Sequence, residues 1–508
     1  MEPNAPWIRH LLGSPDRMAR TTRIVASTTS DVVLRLAEPE LGELLTLMEC
    51  RYPDFEWVSF IKLGWRHTPS ALVLTLAGVD APGQGDVDQT VGHVAIDEQF
   101  SLRVALSADH HPLAIGIVHS HPRNCPPIPS PTDDDMDSYY ASYFESFAPN
   151  RPYVSLITSR IHEELAVSGR VWWNGSWHVV KRVVLDRRPV RQWVGGHPPA
   201  SAPPAPERLA RVTSAYGASA TERLRRATVA VIGAGGTGSA AVEVLARGGV
   251  GRIVIVDPDT VDESNLERLH GATSSDVGRA KAAVAKAHVQ SIDHECEVIA
   301  IRGAIPQDAV VDIVATADVM LGCSDQQHSR VALSDIATRY LVPAIDCGVG
   351  LEGRNGRVTG QIVQLVRFQP ADPCVYCKSM VDPVRLSQEL ASPEERDTRR
   401  RAAREAGAVG GDANPYWREV PQLNTVGFLT TSAGAMAAGY AMGWITGRYA
   451  PPFQRIQFNL LSPFLDVTDS DTAPDPACSC RRSRGWADQG ASDAFVTAPP
   501  HWTQAEFV

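Results

Sequence analysis

Positive charge is in short supply. The 508 residues carry 48 lysines and arginines against 58 aspartates and glutamates, a net charge of −10. Such a balance offers no field for a polyanion and argues against nucleic acid as a partner. Long hydrophobic runs are missing as well. Residues 428–447 contain no charge, but they are rich in Gly, Ala, Ser and Thr and poor in the Leu, Ile, Val and Phe that drive insertion, so a buried helix is expected and no membrane partner. The first thirty residues scatter Arg9, Arg17, Arg20 and Arg23 among polar positions, with no apolar stretch leading to a cleavage site. A secretory signal is not expected, and the cytoplasm is the expected compartment. Cysteine is sparse and uneven, nine in all and none between Cys377 and Cys478. That excludes a disulfide framework, and in a reducing compartment the clustered cysteines read as metal ligands. No internal repeat is visible.

What is present suggests an ordinary globular chain of two or three domains. Residues 195–206, GGHPPASAPPAP, have the composition of a semi-rigid linker. The expected division is a first domain at 1–193, a linker at 194–206, a second domain at 207–490 and a tail at 491–508.

The most informative stretch is 228–281. An apolar run, Thr228 to Ile232, meets Gly233, Gly235, Gly236 and Gly238, and a small-residue helix pattern follows. Glycines there permit unusual φ angles and close backbone approach, so that helix N-terminal amides can hold a phosphate. A second apolar run, Arg252 to Val256, ends in Asp257, where folds of this kind place an acid on the ribose. Asp259, Asn265, Arg268 and Lys281 then add more polar groups than a dinucleotide needs, and they suit a triphosphate with its magnesium. Further short apolar runs at 296–305, 318–325 and 341–350, separated by helical patterns, continue a doubly wound sheet.

DPDTVDESNLERL together with VGRAK resembles the ThiF/MoeB and ubiquitin-activating family, whose adenylation domains carry a GxGGxG loop, DxDxVxxSNLxR and a downstream lysine. The resemblance implies ATP-dependent adenylation of the C-terminal glycine of a ubiquitin-like or sulfur-carrier protein. It places Asp257 on the ribose and Asn265, Arg268 and Lys281 on the phosphates. It also places Asp325, in LGCSDQQHSR, beside ribose and metal; read from the residues alone, Asp325 is a strand-end acid capping the next helix. Arg211 resembles the arginine that such enzymes lend across a homodimer, with Arg208 as an alternative.

In the first half, 38–48 has helical spacing that ECRYPDFEWVSFIKLGW is expected to continue. Runs at 72–79 and 101–107 (SLRVALS) read as strands. LAIGIVHSHP supplies a strand ending in His119 and His121, whose i, i+2 spacing points both rings the same way, as two ligands of one metal must. Ser130-Pro131-Thr132-Asp133 by itself reads as a helix start, with Ser130 as N-cap. Together, HSHP and SxxD resemble the JAMM motif of the JAB/MPN metalloproteases, which cut at the C-terminus of ubiquitin and its relatives. That resemblance implies a zinc ion on His119, His121 and Asp133, Glu56 as general base in preference to Glu43 or Glu49, and Ser130 on the oxyanion. The family usually spaces the second histidine and the serine by seven residues; here eight intervene, Pro122 to Pro129.

Cys374 and Cys377 form one close pair, and Cys478 and Cys480 another. Four such thiolates suit a tetrahedral structural zinc, and the ThiF/MoeB family carries cysteine pairs in corresponding places. The charged stretch from 385 reads as a solvated helix followed by the loop GGDANP. The expected fold class is α/β, an N-terminal α+β JAB/MPN-like domain followed by a Rossmann-like doubly wound ThiF-type domain. The combined reading is a ubiquitin-like activating enzyme with ATP, Mg2+ and two zinc sites, fused to a tail-processing protease and working with a conjugating enzyme. Its alternatives are sulfur-carrier activation and a non-catalytic tail-binding scaffold.

Overall fold

The computed structural model describes residues 24–27, 31–51, 55–90, 93–185, 191–195, 197, 204–354, 357–405, 425–462, 465–466 and 472–508; the GGDANP loop and part of the expected linker lie outside them. Among the described residues, two nine-stranded sheets organise the chain.

The first sheet is built from β1 (Asp31–Leu36), β2 (Val58–His67), β3 (Ala71–Asp80), β6 (Ala114–Ser120), β7 (Tyr153–Ile161), β8 (Glu164–Trp173), β9 (Ser176–Val179), β10 (Arg182–Leu185) and β11 (Arg191–Gln192). Their order is β10-β1-β3-β2-β6-β7-β8-β11, with β9 also on β8, and a small hairpin, β4 (Val87–Thr90) and β5 (His93–Ile96), stands apart. Alternation along β2 divides its side chains between two cores. Ile61 and Leu63 face α1 (Glu40–Arg51), while Val58 and Phe60 face α2 (Glu98–Ser107) and α3 (Pro131–Phe147).

Two local expectations are corrected here. Residues 101–107 belong to helix α2, not to a strand: Asp97 caps it by accepting from Gln99 N at 2.8 Å, and Phe100, Val104 and Ala105 form its buried stripe. The alternation of Leu102, Val104 and Leu106 misleads, because Leu102 and Leu106 are exposed. The helical pattern around Glu56 does not hold either. Trp57 and Ser120 exchange hydrogen bonds (Ser120 N to Trp57 O, 2.8 Å; Trp57 N to Ser120 Oγ, 2.9 Å) and extend the β2–β6 ladder to the residue beside Glu56.

After α4 (Ala210–Tyr216) and α5 (Ala218–Arg226), the second sheet runs through β12 (Thr228–Ile232), α6 (Gly236–Arg247), β13 (Arg252–Val256), α7 (Lys281–Ile292), β14 (Glu297–Arg302), α8 (Asp308–Val314), β15 (Val319–Gly322), α9 (Gln327–Arg339) and β16 (Ala344–Arg354). Parallel pairing gives the order β16-β15-β12-β13-β14. On one side β17 (Arg357–Phe368), β18 (Arg455–Asn459) and β19 (Leu465–Asp466) extend it antiparallel, and β20 (Glu506–Phe507) covers the β14 edge. Val229 and Val231 pack on one face of the sheet, Ala230 and Ile232 on the other, so both faces are buried and the sheet is doubly wound. The charged stretch forms α10 (Pro383–Leu390) and α11 (Pro393–Glu405). The charge-free stretch is α12 (Gly427–Thr446), whose Ala437, Ala438 and Ala441 join the core beside α6. No helix among the described residues is long and apolar enough to cross a membrane.

The two sheets are not strung loosely together. Arg35 of β1, 1% exposed, donates through Nε to the Ala315 carbonyl (3.2 Å), through Nη1 to Leu341 O (3.3 Å) and through Nη2 to Ala317 O. Arg66 pairs with Asp312 and Asp488 at 2.8 Å each. Gly485 O accepts from both Gly64 N (3.1 Å) and Thr75 Oγ (2.7 Å). Replacing Arg35 strands three buried carbonyls, each costing about 1–3 kcal/mol. Arg35→Ala is therefore expected to lose roughly 3 kcal/mol or more and to lower the urea midpoint of the full chain. An unchanged midpoint would refute the clamp.

Candidate functional site

The strand order reverses between β12 and β15, and a crevice opens at the carboxyl ends of such strands. The glycine loop lies there. Gly233 has φ +98°, and a Cβ on Gly238 would fall 1.8 Å from the Gly233 carbonyl, so the turn from β12 into α6 excludes larger residues. Gly235 is the N-cap of α6 and offers no side-chain acceptor, which leaves the first amides directed at the crevice.

Asp257, buried after β13, accepts from Ala234 N (2.6 Å) and Asp259 N (2.8 Å), tying the glycine loop to the next segment. Burial pushes its pKa up, only partly offset by Lys281 and those two amides. Lys281 opens α7 and pairs with Asp259 at 2.8 Å. Arg268 reaches the same loop, its Cδ being 3.1 Å from where a Cβ on Gly236 would stand. The fold thus brings together Gly233, Gly235, Gly236, Gly238, Asp257, Asp259, Arg268 and Lys281. Asn265 sits in the 3-10 turn 263–265, where its Oδ1 accepts from Asp262 N at 3.3 Å.

Asp325 follows β15 and is exposed. It does not cap α9: Ser324 Oγ accepts from Gln326 N (3.2 Å), while the Asp325 carboxylate takes a bond from Gln326 Nε2 (3.2 Å). Arg208 is held by buried Asp293, whereas Arg211 is exposed on α4.

One further residue at this site escaped the sequence reading. His270 stands 2.9 Å from Glu243 of α6 through Nδ1 and 2.9 Å from Thr431 of α12 through Nε2, and its amide donates to Ser239 Oγ (3.0 Å). It pins the segment carrying Arg268 between two helices. Its partners lie far along the chain, so no local pattern marks it.

On the first sheet, His119 is the penultimate residue of β6, His121 follows the strand, and Asp133 lies in the first turn of α3. His119 Nε2 is 3.1 Å from Asp133 Oδ1, and His121 Nε2 is 3.7 Å from Oδ2. Both buried ring nitrogens of His119 lack hydrogen-bond partners. Of the two, Nε2 faces the Asp133 carboxylate, and an unpartnered buried nitrogen set against a carboxylate fits a divalent cation. Although buried, the Asp133 carboxyl is held well below the usual range by the two imidazoles and by Ser130 N; burial would lower the His121 pKa, but Asp133, the Pro126 carbonyl and Glu56 together raise it. Val58 pairs with His119 at the end of the antiparallel ladder, and Glu56, two residues before Val58, is near enough to act on the His121 ring.

The helix-cap reading holds as well. Ser130 Oγ accepts from Asp133 N (3.2 Å) and Asp133 Oδ2 accepts from Ser130 N (2.7 Å), a reciprocal capping box that also fixes the carboxylate rotamer. The eight-residue loop is absorbed by ties to β7 and β8, with Asn124 N bonding Arg160 O (2.8 Å), Ser159 Oγ bonding Cys125 O (2.6 Å) and Ser168 Oγ bonding Pro127 O.

The four cysteines converge from positions a hundred residues apart. Sγ separations are 3.7 Å for Cys374–Cys377, 3.6 Å for Cys374–Cys478 and 3.9 Å for Cys377–Cys480. Tetrahedral ligands at a Zn–S distance of about 2.3 Å stand roughly 3.8 Å apart, so the set fits zinc. The neighbouring Cys480 thiol, and then burial, push the Cys374 thiol up, a crowding that a bound cation relieves.

Comparison with known proteins addresses the second sheet. Residues 207–480 match the model of the ThiF family. The SAMP-activating enzyme E1 of Haloferax volcanii is 34% identical over 155 residues, 30% of this chain and 54% of that protein. The adenylyltransferase and sulfurtransferase UBA4 of Meyerozyma guilliermondii is 33% identical over 169 residues, 33% of this chain and 38% of that protein. The tRNA threonylcarbamoyladenosine dehydratase of Bacillus subtilis is 50% identical over 88 residues, 17% of this chain and 35% of that protein. The chain thus spans about half or less of the length of these relatives. With more than half of its residues matched, and with the glycine loop, Asp257, Arg268 and Lys281 gathered at the crevice, the chain belongs to the ThiF family.

Proposed function

We propose that residues 207–490 adenylate the C-terminal glycine of a ubiquitin-like protein, and that residues 1–193 form a JAB/MPN-type zinc metalloprotease acting on the same kind of tail. In the first reaction a carboxylate oxygen attacks the α-phosphorus of MgATP, forming the acyl adenylate and releasing pyrophosphate. The crevice groups supply what this needs: Asp257 for the ribose, the α6 amides with Asn265, Arg268 and Lys281 for the phosphates, and Asp259 and Asp325 for ribose and metal. The convergence of glycine loop, Arg268 and Lys281 at the switch point carries this reading. Arg211, exposed beside the linker, is the group that a homodimer partner would receive.

In the second reaction, zinc held by His119, His121 and Asp133 would supply Lewis acidity at the scissile carbonyl. Glu56, near His121, accepts the proton of the attacking water. Ser130 uses its oxygen as an acceptor in the cap, leaving its hydroxyl hydrogen for the oxyanion. The Cys374, Cys377, Cys478 and Cys480 set would hold a structural zinc that staples the C-terminal segment to the sheet.

A second reading, activation of a sulfur carrier, draws support from the lack of cysteine between Cys377 and Cys478, which leaves no thioester nucleophile there. The decisive measurement is ATP–pyrophosphate exchange with a candidate ubiquitin-like protein, intact and with its terminal glycine removed. Exchange that requires the glycine supports adenylation, and the fate of the adenylate, conjugate or thiocarboxylate, separates the two readings. Measurable ATP binding with no exchange would instead leave a tail-binding scaffold.

A further inference from the structure

Nothing in the sequence singles out Arg170. It lies on β8, opposite Ser155 of β7 and Val179 of β9, with its guanidinium turned toward α3 and its exposure only 7%. Nε donates to Asp137 Oδ2 (2.6 Å), Nη1 to Asp134 Oδ1 (2.5 Å) and Nη2 to the Asp133 carbonyl (3.1 Å). All three acceptors belong to the first two turns of α3, and one of them is the backbone of the residue whose carboxylate faces His119. Asp134 and Asp137 are both buried, at 3% and 0% exposure.

A buried ion triad is a poor source of stability, because apolar side chains of similar volume serve as well. What an arginine fork supplies is direction: three donors in a fixed plane admit one placement of the helix. The rest of α3 is held at its far end, where Tyr140 and Phe144 pack around Phe60. Its start follows a proline-rich loop one residue longer than the spacing usual for this motif, and the last described tie of that loop to β8, at Pro127, lies three residues before Ser130. The sheet, meanwhile, carries His119 on β6 and Arg170 two strands away on β8. Without a tie at its N-terminus, α3 could slide along the sheet and carry Asp133 away from the histidines.

We propose that Arg170 is a positioning residue for the metal site, clamping the start of α3 to β8 so that the Asp133 carboxylate stands opposite His119 and His121 at the distance a divalent cation of the zinc class requires. The proposal rests on the metal-site reading above, and it assigns the geometry of that site to a residue that touches neither metal nor substrate.

The test uses the full chain with zinc kept on the four cysteines and Co(II) loaded at the histidine site, so that the visible bands report the histidine–carboxylate ligands and the absence of near-ultraviolet thiolate-to-cobalt bands shows that the cysteine set has kept its zinc. Arg170→Lys keeps a positive charge beside Asp134 and Asp137 but cannot reach three acceptors at once. Expected are a loss of about tenfold or more in Co(II) affinity at the histidine site and a shift of its visible bands, with the cysteine-bound zinc retained. Should this variant fail to fold, Arg170→Met combined with Asp134→Asn and Asp137→Asn removes the buried charges together while keeping volume, and the same loss is expected. Wild-type affinity and spectrum in either folded variant, with Co(II) binding abolished by His121→Ala, would overturn the clamp alone. A wild-type chain whose visible Co(II) signal is indifferent to His121→Ala would overturn the metal reading and the clamp with it.

Discussion

ATP–pyrophosphate exchange is expected to fall by about 100-fold or more in Lys281→Ala, the scale on which removal of one preorganised charge-stabilising group acts. Lys281 is the first residue of α7, its side chain is 12% exposed, and its ammonium is already oriented by Asp259 at 2.8 Å. It is thus a cation held ready at low reorganisation cost, and the loss should appear mainly in kcat. Asp257→Ala should lose at least as much for a different reason. That carboxylate accepts from Ala234 N and Asp259 N at once, so its removal frees the glycine loop as well as the ribose site, and the KM for ATP should rise. Asp257→Asn keeps one acceptor oxygen and should fall between wild type and Asp257→Ala. Exchange within twofold of wild type in both alanine variants would dismiss the proposed phosphate and ribose roles.

The crevice at the switch point was legible because its parts are local. A strand, four glycines, a helix, a second strand and an acid follow one another within some thirty residues, and each has a backbone reason to be where it is: Gly233 for a positive φ, Gly238 for contact with the Gly233 carbonyl. The doubly wound order followed from apolar runs separated by helical patterns. The paired cysteines and the HSHP and SxxD segments were legible as clusters, and the fold brings each cluster within ligand distance.

What escaped has a common cause, dependence on a partner far along the chain. The alternation of 101–107 imitates a strand, and only the packing of Phe100 and Val104 against Phe60 and the exposure of Leu102 and Leu106 reveal the helix. Glu56 is placed by the strand pairing of its neighbours, Trp57 with Ser120 and Val58 with His119, not by helical phase. Arg35 and Arg170 are single arginines within apolar strands, and nothing nearby announces that one holds carbonyls of the second sheet and the other the start of α3. The proline-rich segment reads as a semi-rigid linker between two domains, and nothing in it announces the Arg35, Arg66 and Gly485 contacts that join the two sheets.

That union sharpens the last expectation. In Glu56→Gln, cleavage of a ubiquitin-like tail should fall by about 10² to 10⁴, the usual range for loss of a general base, because the amide keeps the size of the side chain but cannot accept a proton. Metal uptake should stay at the wild-type level, since His119, His121 and Asp133 are untouched and Asp133 keeps its rotamer through the capping box. ATP–pyrophosphate exchange should also be unchanged: Glu56 lies just before β2, beside the end of β6, while the contacts that join the sheets run through Arg35, Arg66, Gly64 and Thr75. His119→Ala removes a ligand instead of the base, so cleavage and metal binding should fall together. A Glu56→Gln chain that still cleaves at the wild-type rate would remove the base from the proposal, and one that loses metal as well as cleavage would make Glu56 a ligand.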